Sequence, residues 1–256
     1  MREAGAGSPI IRYELLDGDF AESYRALHAN IAFSGVAGRI KTVVVTSAGS
    51  GEGKTTTTLN LAIVMAHAGR QVVVIDAGTG RPGIQDALCS AFGWQVLDPA
   101  APGLAGVIAD TVSVDDAILT TPLERLLLLP RGSASRNPSE LLGSERMRSV
   151  LERLSECADC VLVDTPPCIG YAGSWHASQI ADGVLYVVRA GSERTAQRQA
   201  LARLQEAQAR VLGVIFNDVD LRHRKLGRKR AGTGGQGRSP RSLLAQRVAR
   251  SQRTTG

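Results

Sequence analysis

The sequence has little that could cross-link the chain or anchor it in a lipid bilayer. Only four of its 256 residues are cysteine, too few and too scattered for a disulfide framework. No apolar run approaches the ~20 residues of a membrane-spanning helix, and the N-terminus lacks the pattern of a signal peptide. A hydrophobic content of 43% still allows a substantial core. The composition therefore predicts a cytoplasmic globular protein.

Acidic residues are absent from the last part of the chain, residues 221–256. This segment carries 11 of the 30 Lys and Arg residues, which leaves 19 basic against 24 acidic residues before it, a net charge of −5. Glycine, serine, glutamine, arginine and threonine dominate residues 228–256, a composition that cannot bury a core. We therefore predict a leader at residues 1–19, one folded domain at 20–220, and a basic, disordered tail at 221–256.

Three roles fit the basic tail: a solubilising extension, contact with an anionic membrane surface, and contact with nucleic acid. An apolar stripe of Leu243, Leu244 and Val248 between arginines slightly favours the membrane surface. No aromatic residues, which would stack on the bases of a single strand, interleave with the tail's arginines. Nucleic acid is therefore the less favoured partner.

A glycine-rich stretch between an apolar run and a helical pattern carries the strongest chemical signal. Residues 46–55 read TSAGSGEGKT, and their spacing fits a P-loop that starts at Ala48. Its glycines let successive N–H groups and the positive end of the next helix face phosphate oxygens. Lys54 supplies a cation for the β- and γ-phosphates, and the Thr55 hydroxyl is placed for Mg²⁺. A plain glycine-rich turn is the alternative, which the Lys and Thr in register disfavour. The predicted nucleotide-binding residues here are Gly49, Ser50, Gly51, Glu52, Gly53, Lys54, Thr55 and Thr56.

Short apolar runs alternate with helical patterns along the folded part of the chain. The runs predict strands at 40–46, 71–76, 126–129, 160–163, 184–188 and 211–216. The periodic segments predict helices at 21–34, 54–68, 83–92, 104–109, 137–142, 144–157, 170–180 and 195–209. This alternation favours an α/β fold, a doubly wound and mostly parallel sheet with helices on both faces, as in P-loop nucleoside triphosphatases. Ligands in such folds bind at the carboxyl ends of the strands.

Two carboxylates follow apolar strands and therefore fall at the same edge of the sheet as Lys54. We predict that Asp164, as a Walker-B carboxylate, holds Mg²⁺ directly or through water, and that Asp76 assists it. Either could instead be an ordinary cap at a strand end. Asn217, after the last strand, could contact the nucleotide base or form a turn. The sequence thus assigns catalysis to Lys54, Asp76 and Asp164, and metal binding to Thr55, Asp76 and Asp164.

Cys157 and Cys160 have the spacing of half a zinc site or of a redox pair. The sequence has no second such pair, and its four histidines are scattered. We interpret the spacing as coincidence, with Cys160 opening the strand that ends in Asp164.

A set of segments in a fixed order resembles the cytoplasmic domain of bacterial tyrosine kinases of the CpsD/CapB type, which regulate capsule and exopolysaccharide synthesis. The resemblance covers residues 20–220. The P-loop alone is not specific, whereas Asp164-Thr-Pro-Pro and Asn137-Pro-Ser-Glu-Leu-Leu are. The other matching segments are Glu22-Ser-Tyr-Arg25-Ala-Leu-His28, Ile75-Asp76-Ala-Gly-Thr-Gly-Arg81-Pro82, Pro130-Arg-Gly, Ala181-Asp182-Gly and Gly213-Val-Ile-Phe-Asn217.

The resemblance implies ATP with Mg²⁺ as the bound nucleotide and metal, and transfer of the γ-phosphoryl group to tyrosines at a neighbour's C-terminus. It also implies a ring-shaped homo-oligomer, formed through the helix that carries Glu22, Arg25 and His28. The implied partner is a membrane-embedded chain-length or activator protein of polysaccharide synthesis. Such a partner would hold the protein at the inner face of the plasma membrane.

The sequence departs from the family pattern in four ways. The strand that ends in Asp76 usually ends in Asp-x-Asp, and Gly78 stands at the second aspartate. Gly173 stands where the family has an aspartate shortly after Asp-Thr-Pro-Pro. His28 replaces the last arginine of the oligomerisation helix. The fourth departure is a tail without tyrosine, so that transfer to a C-terminal tyrosine cluster is impossible on this chain. The four tyrosines are Tyr13, Tyr24, Tyr171 and Tyr186.

Three functions are therefore compatible with the sequence. The favoured one is a kinase-like ATP phosphotransferase of polysaccharide assembly, slowed by the missing carboxylate because phosphoryl transfer depends on positioning and charge neutralisation. The second is an ATP-dependent regulator or scaffold of the same pathway without phosphoryl transfer. The third is a positioning ATPase of the ParA/MinD type, which is disfavoured because no lysine precedes Lys54 in the loop.

Overall fold

The computed structural model describes residues 10–12, 16–34, 40–79, 83–95, 102–132 and 142–219. The chain divides into two units, Met1–Asp218 and Val219–Gly256, and the description below concerns the first. The predicted basic tail, the segment Arg81-Pro82 and residues 137–141 of the predicted helix at 137–142 lie outside the described residues.

Strands and helices alternate through the described ranges, as the apolar runs and the helical periodicity predict. The strands are β1 (Thr42–Ser47), β2 (Val72–Asp76), β3 (Leu119–Thr120), β4 (Leu126–Leu129), β5 (Cys160–Asp164), β6 (Gly183–Arg189) and β7 (Val211–Asn217). The described helices are α1 (Asp19–Ser34), α2 (Lys54–His67), α3 (Ile84–Phe92), α4 (Leu104–Ile108), α5 (Val114–Ala117), α6 (Glu145–Cys157), α7 (Ala172–Ile180) and α8 (Arg194–Glu206).

The strands form one sheet in the order β3-β4-β2-β5-β1-β6-β7. Every neighbouring pair is parallel except β3 with β4. This confirms the predicted α/β fold with a doubly wound, mostly parallel sheet. The short antiparallel edge strand β3 and the single-turn helix α5 were not predicted, because neither is long enough to give a periodic pattern.

Two apolar clusters cover the two faces of the sheet. Along β1, Val43 and Val45 pack on the face covered by α1, α2 and α3, and Val44 packs on the face covered by α4, α6, α7 and α8. All residues of β1, β2 and β5 are buried. This two-sided burial explains why these strands are continuous apolar runs rather than alternating ones.

Some helix boundaries differ from the predictions for local reasons. The helix predicted at 170–180 begins at Ala172, because Tyr171 before it is extended, with φ −133° and ψ 101°. The helix predicted at 195–209 ends at Glu206, and Gln208 just beyond it has a left-handed φ of 54°.

The N-terminal side of the chain also contacts the core. Ile10 and Ile11, which the sequence analysis assigns to the leader, are buried. The Ile11 N–H donates a hydrogen bond to Asn60 Oδ1 on α2, at 2.8 Å. None of the helices in the described ranges is both long and apolar enough to cross a membrane.

Candidate nucleotide-binding site

The glycine-rich loop joins β1, an interior strand of the sheet, to α2. Gly51 and Gly53 have left-handed φ values of 73° and 96°, which only glycine adopts without strain. At Gly53 a Cβ atom would also lie 1.9 Å from Asn217 Nδ2, so no larger residue fits there. Helix α2 begins at Lys54, and its N-terminus therefore faces the loop as a P-loop requires.

A cleft of about 510 Å³ opens beside the loop and is called the phosphate cleft below. Its lining includes six of the predicted nucleotide-binding residues: Ser50, Gly51, Gly53, Lys54, Thr55 and Thr56. The remaining loop residues, Gly49 and Glu52, line a second cleft of about 640 Å³, called the outer cleft.

Lys54 is buried and bonded to its own loop. Its Nζ donates hydrogen bonds to Ser47 Oγ at 2.9 Å and to the Gly49 carbonyl at 3.0 Å. Burial lowers the pKa of Lys54, and the nearby Asp164 and Glu52 carboxylates oppose that shift. The ammonium is thus held beside the loop glycines, where a phosphate would meet it.

Asp76 and Asp164 stand side by side at the carboxyl edge of the sheet. The parallel register of β2 and β5 pairs these two residues directly. Burial and, after it, the charge of Asp76 raise the pKa of Asp164 to about 7. A hydrogen bond from Thr55 Oγ1 to Asp164 Oδ2, at 2.6 Å, opposes the shift. The three residues predicted to hold the metal therefore lie together.

Arg131 is a further residue of this site to which the sequence analysis gave no role. Its Nη2 donates to Asp76 Oδ1 at 3.0 Å. The backbone N–H groups of Gly78 and Ile84 also donate to Asp76, each at 3.1 Å. Both oxygens of Asp76 thus already accept hydrogen bonds. The position of Arg131 directly after β4, at the carboxyl edge of a parallel strand, was the sequence signal that could have found it.

The residues present fit a magnesium ion. Asp164 Oδ1 is buried and accepts no hydrogen bond from the described residues, which leaves one carboxylate oxygen beside the Thr55 hydroxyl for a cation. No group of three His, Cys, Asp or Glu side chains with metal-binding geometry occurs in the described ranges. Mg²⁺ needs no such group, because it is commonly bound by one or two carboxylates together with phosphate oxygens and waters.

Glu52 does not line the phosphate cleft; its side chain instead bonds the loop to α8 and to the end of β6. Its Oε1 accepts hydrogen bonds from the Gly49 N–H at 2.8 Å and from Gln197 Nε2 at 3.0 Å. Its Oε2 accepts from the Arg189 N–H at 3.3 Å, and Gln197 in turn accepts from the Tyr186 hydroxyl at 2.7 Å. We call Glu52, Gln197 and Tyr186 the Glu52 clamp. Gln197 was not predicted, since nothing in the pattern of helix α8 marks it.

Asn217 reaches the loop from the end of β7. Its Nδ2 donates to the Glu52 carbonyl at 2.9 Å and lies against Gly53. The side chain therefore supports the P-loop backbone, and its contact with a nucleotide base stays a prediction.

Two of the departures from the family pattern are glycines, one beside the carboxylates and one in a helix. A Cβ atom at Gly78 would lie 3.4 Å from Asp76 Oδ1, 3.5 Å from Arg131 Nη2 and 3.6 Å from Asp164 Oδ2. A side chain at this position would thus join the carboxylate pair. Gly173 is buried in the first turn of α7.

The residues predicted for self-association lie on α1, which packs on α2. Arg25 Nε donates to Glu22 Oε2 at 2.7 Å, and Arg25 Nη1 donates to the Leu16 carbonyl at 2.6 Å. His28 is half-buried, and burial together with the positive charge of Arg70 lowers its pKa. Glu22 and Arg25 thus form a local ion pair on the exposed side of this helix.

Cys157 and Cys160 lie at the end of α6 and the start of β5. Cys160 is the first residue of β5, as predicted, and burial raises the pKa of its thiol to about 12. Cys157 ends α6 and is exposed. A thiol with so high a pKa is a poor source of the thiolate that metal binding and redox exchange need.

The sheet order, the loop and the Thr55–Asp164 pair define a P-loop nucleotide-binding protein. The family of CobQ/CobB/MinD/ParA nucleotide-binding domains matches residues 43–234. Among solved structures, the ATP complex of a McdA variant from Cyanothece has 27% sequence identity and a TM-score of 0.59, over 69% of this chain and 70% of that one. Nucleotide binding is therefore a property of this class.

More similar proteins narrow the class. Tyrosine-protein kinase YwqD of Bacillus subtilis is 33% identical over 202 residues, which cover 78% of this chain and 82% of that protein. Tyrosine-protein kinase CpsD of Streptococcus agalactiae is 30% identical over 200 residues, with coverage of 78% and 82%. The kinase domain of the Escherichia coli tyrosine kinase ETK has 25% identity and a TM-score of 0.73, over 93% of this chain and 89% of that one. The chain belongs to the bacterial tyrosine-protein kinases within the CobQ/CobB/MinD/ParA family.

Proposed function

We propose that this protein binds ATP with Mg²⁺ and transfers the γ-phosphoryl group to a protein hydroxyl, as a regulator of capsular or exopolysaccharide synthesis. The observation that carries the proposal is the meeting of Lys54, Thr55, Asp76 and Asp164 at the carboxyl edge of three adjacent strands. Membership of the tyrosine-protein kinases supports the reaction type, because that activity is the one named for the relatives.

Each residue of the site has a role in this proposal. The loop N–H groups and Lys54 bind the β- and γ-phosphates, and Thr55 with Asp164 holds the metal. Mg²⁺, when bound, supplies positive charge to the phosphate oxygens. Asp76 would assist Asp164 in holding the metal, while both of its oxygens accept hydrogen bonds from the protein. Arg131, fixed by Asp76, places a guanidinium in the phosphate cleft, where it stabilises negative charge on the transferred group.

The proposal extends to assembly and location. The exposed Glu22–Arg25 pair on α1 supports a homo-oligomeric ring through this helix, with His28 in place of an arginine. We further propose a membrane-embedded polysaccharide chain-length or activator protein as partner, at the inner face of the plasma membrane. The basic tail would add contact with anionic lipid headgroups.

A second function, that of an ATP-dependent regulator without phosphoryl transfer, is favoured by the glycine at position 78. Gly78 lies among Asp76, Arg131 and Asp164 where the family pattern has a carboxylate. Losing a carboxylate from such a site slows phosphoryl transfer more than it weakens nucleotide binding, because the loop and Lys54 make most of the phosphate contacts.

Incubation with γ-labelled ATP and Mg²⁺ separates these functions. Label on protein supports the phosphotransferase, free phosphate alone indicates an ATPase, and ATP binding without either indicates the regulator. Lys54→Met should abolish ATP binding. Lys41→Met is the matched control, because Lys41 lies at the opposite end of β1 and bonds the Ser155 carbonyl instead. Unchanged ATP affinity in Lys54→Met would overturn the assignment of the loop.

A further inference from the structure

A tyrosine kinase could modify only the four tyrosines of its own chain. The structure describes three of them, and these differ in how exposed they are. Tyr24 is 8% exposed, and its hydroxyl accepts a hydrogen bond from Asn60 Nδ2. Tyr186 is fully buried, and its hydroxyl donates to Gln197 in the Glu52 clamp. Neither hydroxyl can reach a nucleotide without unfolding its surroundings.

Tyr171 is the exception among these three. It is 36% exposed, and it lines both the phosphate cleft and the outer cleft. The phosphate cleft that it shares with Lys54, Thr55, Asp164 and Arg131 is where the proposed reaction takes place. One exposed phenol therefore stands at the mouth of the site of its own chain.

The chain holds Tyr171 there through backbone contacts with the nucleotide-binding loop. Two residues just before it bond to the end of β1: the Cys168 N–H donates to the Ser47 carbonyl at 2.8 Å and the Ile169 N–H donates to the Ala48 carbonyl at 3.3 Å. Gly170 then adopts a left-handed φ of 88° directly before Tyr171. The backbone before Tyr171 is thus fixed to the loop.

We propose that Tyr171 accepts the γ-phosphoryl group of ATP bound in its own chain. This inference rests on the proposed phosphotransferase function and names its acceptor. In the transfer, the bond between the γ-phosphorus and the oxygen that bridges it to the β-phosphate breaks, and a bond from that phosphorus to Tyr171 Oη forms. ADP leaves with the electron pair, and the phenolic proton is released to water. The product carries an additional phosphate charge at the mouth of the cleft.

The test is phosphopeptide mass spectrometry on the full chain after incubation with ATP and Mg²⁺. We compare wild type with Tyr171→Phe, with Lys54→Met and with Tyr13→Phe, the last because Tyr13 lies outside the described residues. We expect phosphate on the Tyr171 peptide of wild type and Tyr13→Phe, and none on Tyr171→Phe or Lys54→Met. Tyr171→Phe should unfold in urea at the wild-type midpoint, which shows that its loss of label is not a loss of folding.

Two further arms distinguish failure of this inference from failure of the proposed function. A Glu-Tyr copolymer serves as an external acceptor: phosphate on the copolymer, on Tyr13 or on a tail hydroxyl, with none on Tyr171, would keep the kinase and overturn the acceptor. No transfer to any acceptor, with ATP bound, would overturn both. In a mixture of Lys54→Met chains with Tyr171→Phe chains, label on Tyr171 of the Lys54→Met chain would overturn transfer within one chain.

Discussion

Replacing the buried Glu52 carboxylate by an amide, Glu52→Gln, should weaken both the fold and nucleotide binding. Glu52 is only 6% exposed and accepts hydrogen bonds from Gly49, Gln197 and Arg189. The amide presents an NH₂ group where Oε2 now faces two donors, the Arg189 N–H and Gln197 Nε2. A buried donor left without an acceptor costs about 1–3 kcal/mol, so we expect a loss of about 2–4 kcal/mol in the free energy of unfolding.

The reciprocal change offers a sharp control. Gln197→Glu alone brings a second carboxylate against Glu52 and should be at least as destabilising. In the double variant Glu52→Gln/Gln197→Glu, the new amide at position 52 donates to the new carboxylate at position 197. The Gly49 N–H and the Tyr186 hydroxyl keep their acceptors, and only the Arg189 N–H stays affected. We therefore expect the double variant to recover to within about 1 kcal/mol of wild type, a coupling energy of about 3 kcal/mol or more.

Urea unfolding of the four proteins measures these terms, with Glu193→Gln as an exposed carboxylate that should change stability by less than about 0.5 kcal/mol. ATP titration adds a second measurement: a displaced loop should raise the Kd about tenfold in Glu52→Gln, equivalent to about 1.4 kcal/mol, and less in the double variant. The reasoning is refuted if Glu52→Gln unfolds at the wild-type midpoint, or if the double variant loses as much as the two single variants combined.

Three further predictions concern the carboxylate pair. Gly83→Ala should lower ATP affinity and stability by about 1–3 kcal/mol, because its Cβ would lie 2.6 Å from Asp76 Oδ2; Gly78→Ala, with its nearest contact at 3.4 Å, is the control that should behave like wild type in binding and urea unfolding. Gly78→Asp should raise the rate of phosphoryl transfer from labelled ATP, and an unchanged rate would speak against a slowed kinase. Asp164→Asn should raise the metal-free melting temperature above about pH 7 and abolish Mg²⁺-dependent binding of ATP. The pKa of Asp164 is about 7 in the folded chain and 3.8 ordinarily. As pH rises from 3.8 to 7, the unfolded chain therefore loses this proton while the folded chain keeps it, and the free energy of unfolding falls. A gain in melting temperature of Asp164→Asn that persisted below pH 3.8 would have another cause.

The strands β1, β2 and β5 could be predicted because they are buried on both faces and therefore read as apolar runs. The edge strand β7 is only partly covered, but its seven residues still form an apolar run. The edge strand β3 has only two residues, half-buried and exposed, and nothing in Leu119–Thr120 marks a strand. The helix bounds depend on single backbone angles, such as the left-handed φ of Gln208 after α8, which the helical pattern does not encode.

Some residues of the site could be predicted from the sequence and others could not. Lys54, Thr55, Asp76 and Asp164 follow from the rule that ligands bind at the carboxyl ends of parallel strands, and the structure brings them together. The direction of the Glu52 side chain could not be predicted, since the P-loop pattern fixes the backbone but not which side of the loop a side chain takes. The bond between Arg131 and Asp76 depends on β4 lying next to β2 in the sheet, which is known only once the strand order is known.

The direct pairing of Asp76 with Asp164 across β2 and β5 has a consequence for refolding. Successive residues of a strand face opposite sides of the sheet, so a slip of one residue would turn Asp76 away from Asp164 and put Ile75 or Ala77 in its place. The pairing of β1 with β5 must also be correct, because β1 leads directly into the loop that carries Lys54 and Thr55. Mg²⁺-dependent nucleotide binding can therefore be used to measure whether the strands have paired in the correct register. Chains that regain helix content but not ATP affinity after dilution from urea would have mispaired the central strands of the sheet.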